Sequence, residues 1–514
     1  MDNVKRTEQG GVRVQAALCD RRIVTEITSD FSLPDYQAEI KRLLSVRATP
    51  TFADKYVGAG EAEFSGTVTY SILYMGNDGA LYSTTQTGEY KFSTPIEATV
   101  DFDLSDGLVC DVLTQADTAT GRVVAPRKLS VKCRLRSRVR LYGTRVFSED
   151  VHGASSESIE RLWGSAEYRE SYVGIGDAIS LSDEILLDAG EETLRVISAQ
   201  ADAYVIEATC GSGCVNCRGE AVLKLLCTHE GSDALPFATV RRLPFSASVL
   251  TDGAEVNCAA YATGRVKDVT VSVEEGRILC EASVIAEARA ERNGRVEFTE
   301  DAYSTEAEGY CNVHTVRLPY HIKSFAGNFS LNATLSMEEA GIRHGATLAD
   351  LNVTPYITSL ENENGRYVLC GKCRCHALLI TEEDAAMQEF ELPFRFVTEG
   401  SADEVSDYDA DIAVISCRAR ADGERILVDS ELSVSLLTRG EREVRMLSEA
   451  SFSDAVTGRD ASYLIAFPAK EDSLWSVAKR YHRTVAEVSR MNPIAEGPAA
   501  DASDSLAGVR YLLV

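Results

Sequence analysis

The stretch AEFSGTVTYSILY, residues 62–74, returns twice in altered form, as VNCRGEAVLKLLC at 215–227 and YVLCGKCRCHALLI at 367–380. The three glycines, Gly66, Gly219 and Gly371, stand 153 and 152 residues apart. After each glycine an alternating or continuous apolar run leads through a polar turn into an aromatic-anchored run, YKFSTPI, LPFSASV or LPFRFVT, with Phe92, Phe245 and Phe394 in matching places. A second pair of runs follows in each copy, APRKLSVKCRLRSRVRL from Ala125, EEGRILCEASVIAEARA from Glu274 and DGERILVDSELSVSLL from Asp422. Alternation of apolar and polar residues is the mark of a half-buried strand, and the Gly-bearing turns before Arg277 and Arg425 are hairpin turns. A period near 150 residues is a whole domain rather than a solenoid repeat.

The sequence therefore predicts a mainly β chain of three tandem β-sandwich-like domains, at 21–147, 160–300 and 308–448, after an N-terminal tail at 1–20. A linker at 449–461 leads to a small βααβ domain at 462–514. The segment at 32–52, with Ile40, Leu43 and Leu44, reads as a short helix or an extended segment opening the first domain, and Leu194 opens the second in the same way. Residues 148–165 and 291–310 are charged and polar and read as connections.

The chain has 514 residues, more than one hydrophobic core organises, and a formal net charge of -27. Nucleic-acid affinity comes chiefly from Lys and Arg neutralising phosphates, so this balance points to proteins or neutral glycans as partners. No apolar run is long enough to span a membrane. The first ten residues are polar and lead into no signal-peptide core, so a cytoplasmic location with reduced thiols is expected for the 14 cysteines.

No nucleophile elbow, HExxH helix or P-loop occurs in the sequence, which makes an enzyme the weaker class. YVGAGE at 56–61 and YVGIGD at 172–177 read as β-turns. Asp407, Asp409 and Asp411 have calcium-loop spacing, but Ile412 replaces the required glycine, so DYDAD reads as a solvated acidic loop. Cys210, Cys214 and Cys217, and Cys370, Cys373 and Cys375, lack a clean fourth zinc ligand even with His376 adjacent. They read as small buried hydrophobes, and neither a metal nor a cofactor is expected.

The C-terminal stretch SLWSVAKRYHRTVAEVSRMNP, residues 473–493, differs in kind. Leu474, Val477, Ala478 and Tyr481 share one helical face that Asp472 or Ser473 can cap. Thr484 and Glu487 make a capping box for a second helix that Asn492-Pro493 ends. Runs at 462–467 and 509–514 flank the pair as strands. Residues 461–514 carry six basic and six acidic groups, so the excess negative charge lies elsewhere. Lys479, Arg480, Arg483 and Arg490 form a possible basic docking surface on or beside the helices.

Tyr463, Leu474-Trp475, Ala478, Tyr481, Asn492-Pro493 and Gly508 together resemble the LysM module. That resemblance implies two helices on a two-stranded sheet and a shallow groove for N-acetylglucosamine glycans such as peptidoglycan. On this chain the groove falls at Asp472, Ser473, Leu474, Trp475, Asn492, Pro493 and Ile494. The family's Gly-Asp-Thr is here Glu471-Asp472-Ser473. Upstream, LPDYQAEIKRLLSV, FSGTVTYSILY and the KF or PF runs resemble the SPOCS β domain of spore-forming Firmicutes. Tandem SPOCS domains ending in one LysM are similar to the SipL-type spore coat morphogenetic proteins, functional relatives of SpoVID. The resemblance implies a non-catalytic scaffold in the mother-cell cytoplasm at the forespore surface, bound through LysM to a SpoIVA-like coat ATPase. The alternatives are a peptidoglycan-binding protein of cell wall or cortex and, last, a metal or thiol enzyme built on the cysteine clusters.

Overall fold

The computed structural model describes residues 12–51, 54–58, 60–96, 102–103, 107–187, 194–229, 235–274, 276–342, 346–381, 384–398, 404–456, 464–492, 506 and 509–514. The architecture is mainly β, 79% strand with two short helices. In the first repeat the strands are β1 (Val12–Ser32), β2 (Ile40–Pro50), β3 (Asp54–Val57), β4 (Glu61–Gly76), β5 (Leu81–Pro95), β6 (Phe102–Asp103), β7 (Val109–Ala125) and β8 (Lys128–Phe147). A short β9 (Asp150–His152) precedes the second repeat: β10 (Ile159–Ile175), β11 (Ile179–Leu186), β12 (Leu194–Cys210), β13 (Cys214–His229), β14 (Phe237–Leu250), β15 (Ala259–Glu274) and β16 (Arg277–Ser304). The third holds β17 (Ala307–Ser336), β18 (Thr347–Glu363), β19 (Arg366–Ile380), β20 (Ala385–Val397), β21 (Asp407–Asp422) and β22 (Arg425–Ala455). β23 (Ile465–Ala466), α1 (Leu474–Arg480), α2 (Val485–Met491) and β24 (Leu512–Leu513) close the chain.

Each repeat places two antiparallel sheets together. One is centred on the long strand β8, β16 or β22, flanked by β1 and β7, by β10 with β11 and β15, or by β17 and β21. The other is centred on β4, β13 or β19. The repeat glycines sit in these middle strands, directly opposite an aromatic residue: Gly66 faces Tyr90, Gly219 faces Phe245 and Gly371 faces Phe394. A side chain at Gly371 would stand 2.2 Å from the Phe394 ring, so the glycine is the space the ring fills. In the first repeat that place belongs to Tyr90, not to Phe92, which pairs with Phe64.

Several boundaries move. Residues 12–20, assigned to the tail, are the start of β1, and residues 449–455, assigned to the linker, are the end of β22. Most of the expected connections at 148–165 and 291–310 lie inside β10, β16 and β17. The segment at 32–52 takes its extended alternative, as β2. YVGIGD is not a β-turn: residues 172–175 lie in β10, where a side chain at Gly174 would meet the Leu250 carbonyl oxygen at 2.0 Å, and a short irregular stretch then leads into β11.

Asp407, Asp409 and Asp411 overturn the solvated-loop reading. They lie in β21, and Asp409 is only 9% exposed. Its carboxylate accepts from Arg140 at 2.8 Å, from Arg439 at 2.7 Å and from Arg289. These arginines occupy corresponding places in β8, β16 and β22, 149 and 150 residues apart. Each reaches a carboxylate of a different repeat: Arg140 to Asp409, Arg289 to Asp111, and Arg439 to Glu291 at 2.7 Å. The three repeats thus close in a cycle. Two apolar clusters shared by all three accompany it, one around Leu73, Ile197, Leu226 and Leu378, the other around Val14, Tyr168, Phe298, Val316 and Met446. β9 pairs in parallel with Glu449–Ser451 of β22, laying the connection between repeats 1 and 2 across repeat 3.

Burial alone would raise the carboxyls of Asp111, Asp409 and Glu291, but the facing guanidiniums outweigh it and hold all three below the usual carboxylate range. Glu287 goes the other way: burial pushes it to about 7, only partly offset by Lys55. Asp411 is likewise raised by burial. The lowered groups contribute stability above their unfolded pKa, near 4, that is lost as pH falls through their folded values. Glu287 contributes stability below about 4.5 that is lost as pH rises through about 7, and Asp411 acts in the same direction. Urea unfolding across pH is therefore expected to show greatest stability near pH 5, with Glu287→Gln flattening the decline from 5 to 7; an unchanged profile in that variant would refute the assignment. Asp409→Asn, which leaves three guanidiniums facing a neutral group, is expected to cost about 3–5 kcal/mol by the same measurement.

Candidate functional site

The C-terminal module is built by short-range hydrogen bonding. Ser473, with extended backbone, caps α1: its hydroxyl accepts from Ser476 N at 3.2 Å, while the Ser476 hydroxyl accepts from Ser473 N at 2.9 Å. Thr484 and Glu487 cap α2 reciprocally, as the sequence predicts. His482, between the helices, has the left-handed φ of 52° that the tight turn needs. Leu474, Val477, Ala478 and Val488 meet Ala466, Leu512 and Val514 in one apolar cluster, and β23 pairs antiparallel with β24.

The nominated groove residues are largely engaged within the module. The Asp472 carboxylate accepts from Arg480 at 2.8 Å and from Ala469 N at 2.9 Å, and the Arg480 hydrogen bond, aided by the backbone, holds its pKa low. Leu474 is core. The Asn492 amide donates to Leu513 O at 2.6 Å and accepts from Leu513 N at 2.8 Å, stitching α2 to β24. Pro493 and Ile494 lie outside the described residues, as do Tyr463 and Gly508.

Trp475 faces neither solvent nor an open groove. Its ring meets Tyr303 edge-on at 4.8 Å, and its indole N–H donates to Asp301 Oδ2 at 2.9 Å. Lys479 Nζ bonds both oxygens of Asp301, at 2.6 and 2.7 Å. The Tyr303 hydroxyl donates to Arg483 O at 2.6 Å. His482 Nδ1 lies 2.8 Å from Ser304 O, and its Nε2 lies 3.1 Å from Glu308. Through these contacts α1 and the turn after it sit on the end of β16 and the start of β17. Beside the seat is a cleft of about 250 Å³ lined in part by Ser304, Glu308, Cys311, Lys479, Arg480 and His482.

Of the four nominated docking cations, Lys479 and Arg480 are thus paired, with Asp301 and Asp472. Arg490 is exposed and Arg483 half-buried. Elsewhere on the module, Ile465, Phe467 and Tyr511 are exposed.

The cysteine clusters offer no comparable site. All 14 cysteines are free thiols. Burial pushes Cys373 to about 12 and raises Cys375 further, and burial lifts Cys210 to about 11. Thiols so raised are weak nucleophiles at neutral pH. Among the described residues no group of three or more His, Cys, Asp or Glu is placed to hold a metal ion, and no helix is long and apolar enough to cross a membrane.

No family model matches the chain, and no similarity to a curated protein or to a solved structure was found.

Asp301, Tyr303, Ser304 and Glu308 were invisible as site residues, because EDAYST at 300–305 reads as a polar connection. The one usable signal is alternation: Asp301 and Tyr303 share one strand face, and Ala302 points away into a cluster with Leu447 and Phe452. Because the contacts cross from module to repeats, deletion of 457–514 uncovers Tyr303 and Leu162, and the truncated chain is expected to melt lower than the full one. Tyr303→Ala in the full chain is expected to cost about 3–5 kcal/mol of stability. Tyr303→Phe, which loses only the hydroxyl bond, should cost about 1 kcal/mol. Calorimetry of the three proteins checks the order, and equal melting temperatures would refute the seat.

Proposed function

We propose that the chain is a non-catalytic scaffold in spore-envelope assembly, whose three repeats are SPOCS-like β-sandwich domains and whose C-terminal module is a LysM unit docking the body to a coat basement-layer protein, a SpoIVA-like ATPase. The observation that carries the reading is the fixed seating of the module on the closed three-repeat body by Trp475, Lys479 and His482. A scaffold transmits position, and a module held by its helices at one place presents the rest of its surface in a defined direction. The βααβ order, with both helix caps where residue type and spacing place them, supports the LysM assignment. Protein recognition is favoured over glycan binding because Asp472, Ser473 and Asn492 spend much of their hydrogen-bonding capacity inside the module. The mother-cell location at the forespore surface follows from the same resemblance.

A fluorescent fusion of the full chain is expected to form a shell around the forespore in sporulating cells of the native host, and a fusion ending at residue 456 is expected to lose it. Signal along the vegetative wall or septum, or a shell that survives truncation, would overturn the reading.

A further inference from the structure

The seat of the C-terminal module has the form of a recognition event. An extended strand end, Asp301-Ala302-Tyr303, lies against α1 and presents two side chains from one face. The carboxylate takes the Trp475 indole N–H and the Lys479 ammonium, while the tyrosine ring packs edge-on to the indole and its hydroxyl reaches the Arg483 carbonyl. This is how a helical face with one tryptophan and one lysine would read an acidic residue placed two positions before a tyrosine. The module is complete without it, since its core is formed mainly by its own helices and strands. Within the contact the ionic part is the weak one: the Lys479 and Asp301 side chains remain 39% and 27% exposed, and an ion pair so placed contributes about 1 kcal/mol or less, so the buried Tyr303 ring carries most of the hold.

We propose that Asp301-Ala302-Tyr303 is an internal ligand, and that the face formed by Trp475, Lys479 and Arg483 recognises an extended acidic segment of the pattern Asp-x-Tyr in a partner protein, which binds when the module leaves its seat on β16. This rests on the reading of the module as a protein-docking unit. Charge favours the same class of occupant: residues 461–514 carry six basic and six acidic groups, so the module is neutral on a chain whose formal net charge is -27. The internal copy acts at an effective concentration of about millimolar order, so a partner segment succeeds only by binding more tightly or by being presented in many copies, as on an assembled surface.

The test uses the full chain and a synthetic peptide of residues 297–305, EFTEDAYST, followed through the Trp475 indole N–H resonance. The wild-type chain is expected to ignore the peptide at micromolar concentration. Asp301→Asn is expected to shift the resonance toward that of an exposed indole and to raise apparent peptide affinity by about fivefold. A peptide with Asn for Asp or Ala for Tyr should bind neither protein. Should Asp301→Asn disturb folding, Asp301→Glu, which keeps an acceptor for the indole N–H and a partner for Lys479, should keep both the native resonance and the refusal of peptide. An unmoved resonance in Asp301→Asn, or equal binding of native and altered peptides, would overturn the proposal. The assay involves no sporulating cell, so it can fail while the forespore shell persists, and it can succeed where the shell is absent.

Discussion

A single buried carboxylate, that of Asp409, lies among three guanidiniums drawn from three repeats, and the relative placement of those repeats depends on it. An arginine cannot be deprotonated to escape burial, so each of Arg140, Arg289 and Arg439 must find carboxylates where it lies. The partners are distributed so that no repeat is self-sufficient. Repeat 1 keeps Asp111 against its own Arg140 yet also offers it to Arg289, and repeat 2 supplies Glu291 to Arg439. Buried ion pairs are weak sources of net stability, because desolvation consumes most of the Coulomb gain. Their effect here is selective: the cycle is complete in one mutual arrangement, whereas the two shared apolar clusters would tolerate sliding.

Body and module are coupled through one strand. β16 carries Arg289 and Glu291 into the ionic cycle and, ten residues on, Asp301 and Tyr303 into the seat of the module. The orientation of the C-terminal helices is therefore set by the same strand that ties repeat 2 to repeats 1 and 3.

Much of the β architecture was legible, because alternation and a period near 150 residues report local burial directly. Gly66, Gly219 and Gly371 marked the middle strands, and both helix caps could be read from residue type and spacing. The residues whose environment differs from the sequence reading share one cause. Asp409, Arg140 and Tyr303 are polar or amphipathic residues whose burial is created by segments far away in sequence, Asp409 by arginines 30, 120 and 269 residues distant and Trp475 by an aspartate 174 residues before it. Local pattern assigns such residues to loops and solvated faces. The Phe92 assignment failed on register, since two residues in a strand return to the same face and only the pairing of Gly66 with Tyr90 decides between them.

The pairing of β9 with the end of β22 also sets a timetable for synthesis. Residues 150–152 find their partner only at 449–451, about 300 residues later. At about 5–20 residues per second, a ribosome needs roughly 15–60 s to deliver it. Within that interval, from residue 289 to residue 409, Asp111 and Arg289 have been made while Asp409 has not, so the nascent chain carries an open ionic face whose closure is among the last events of its production.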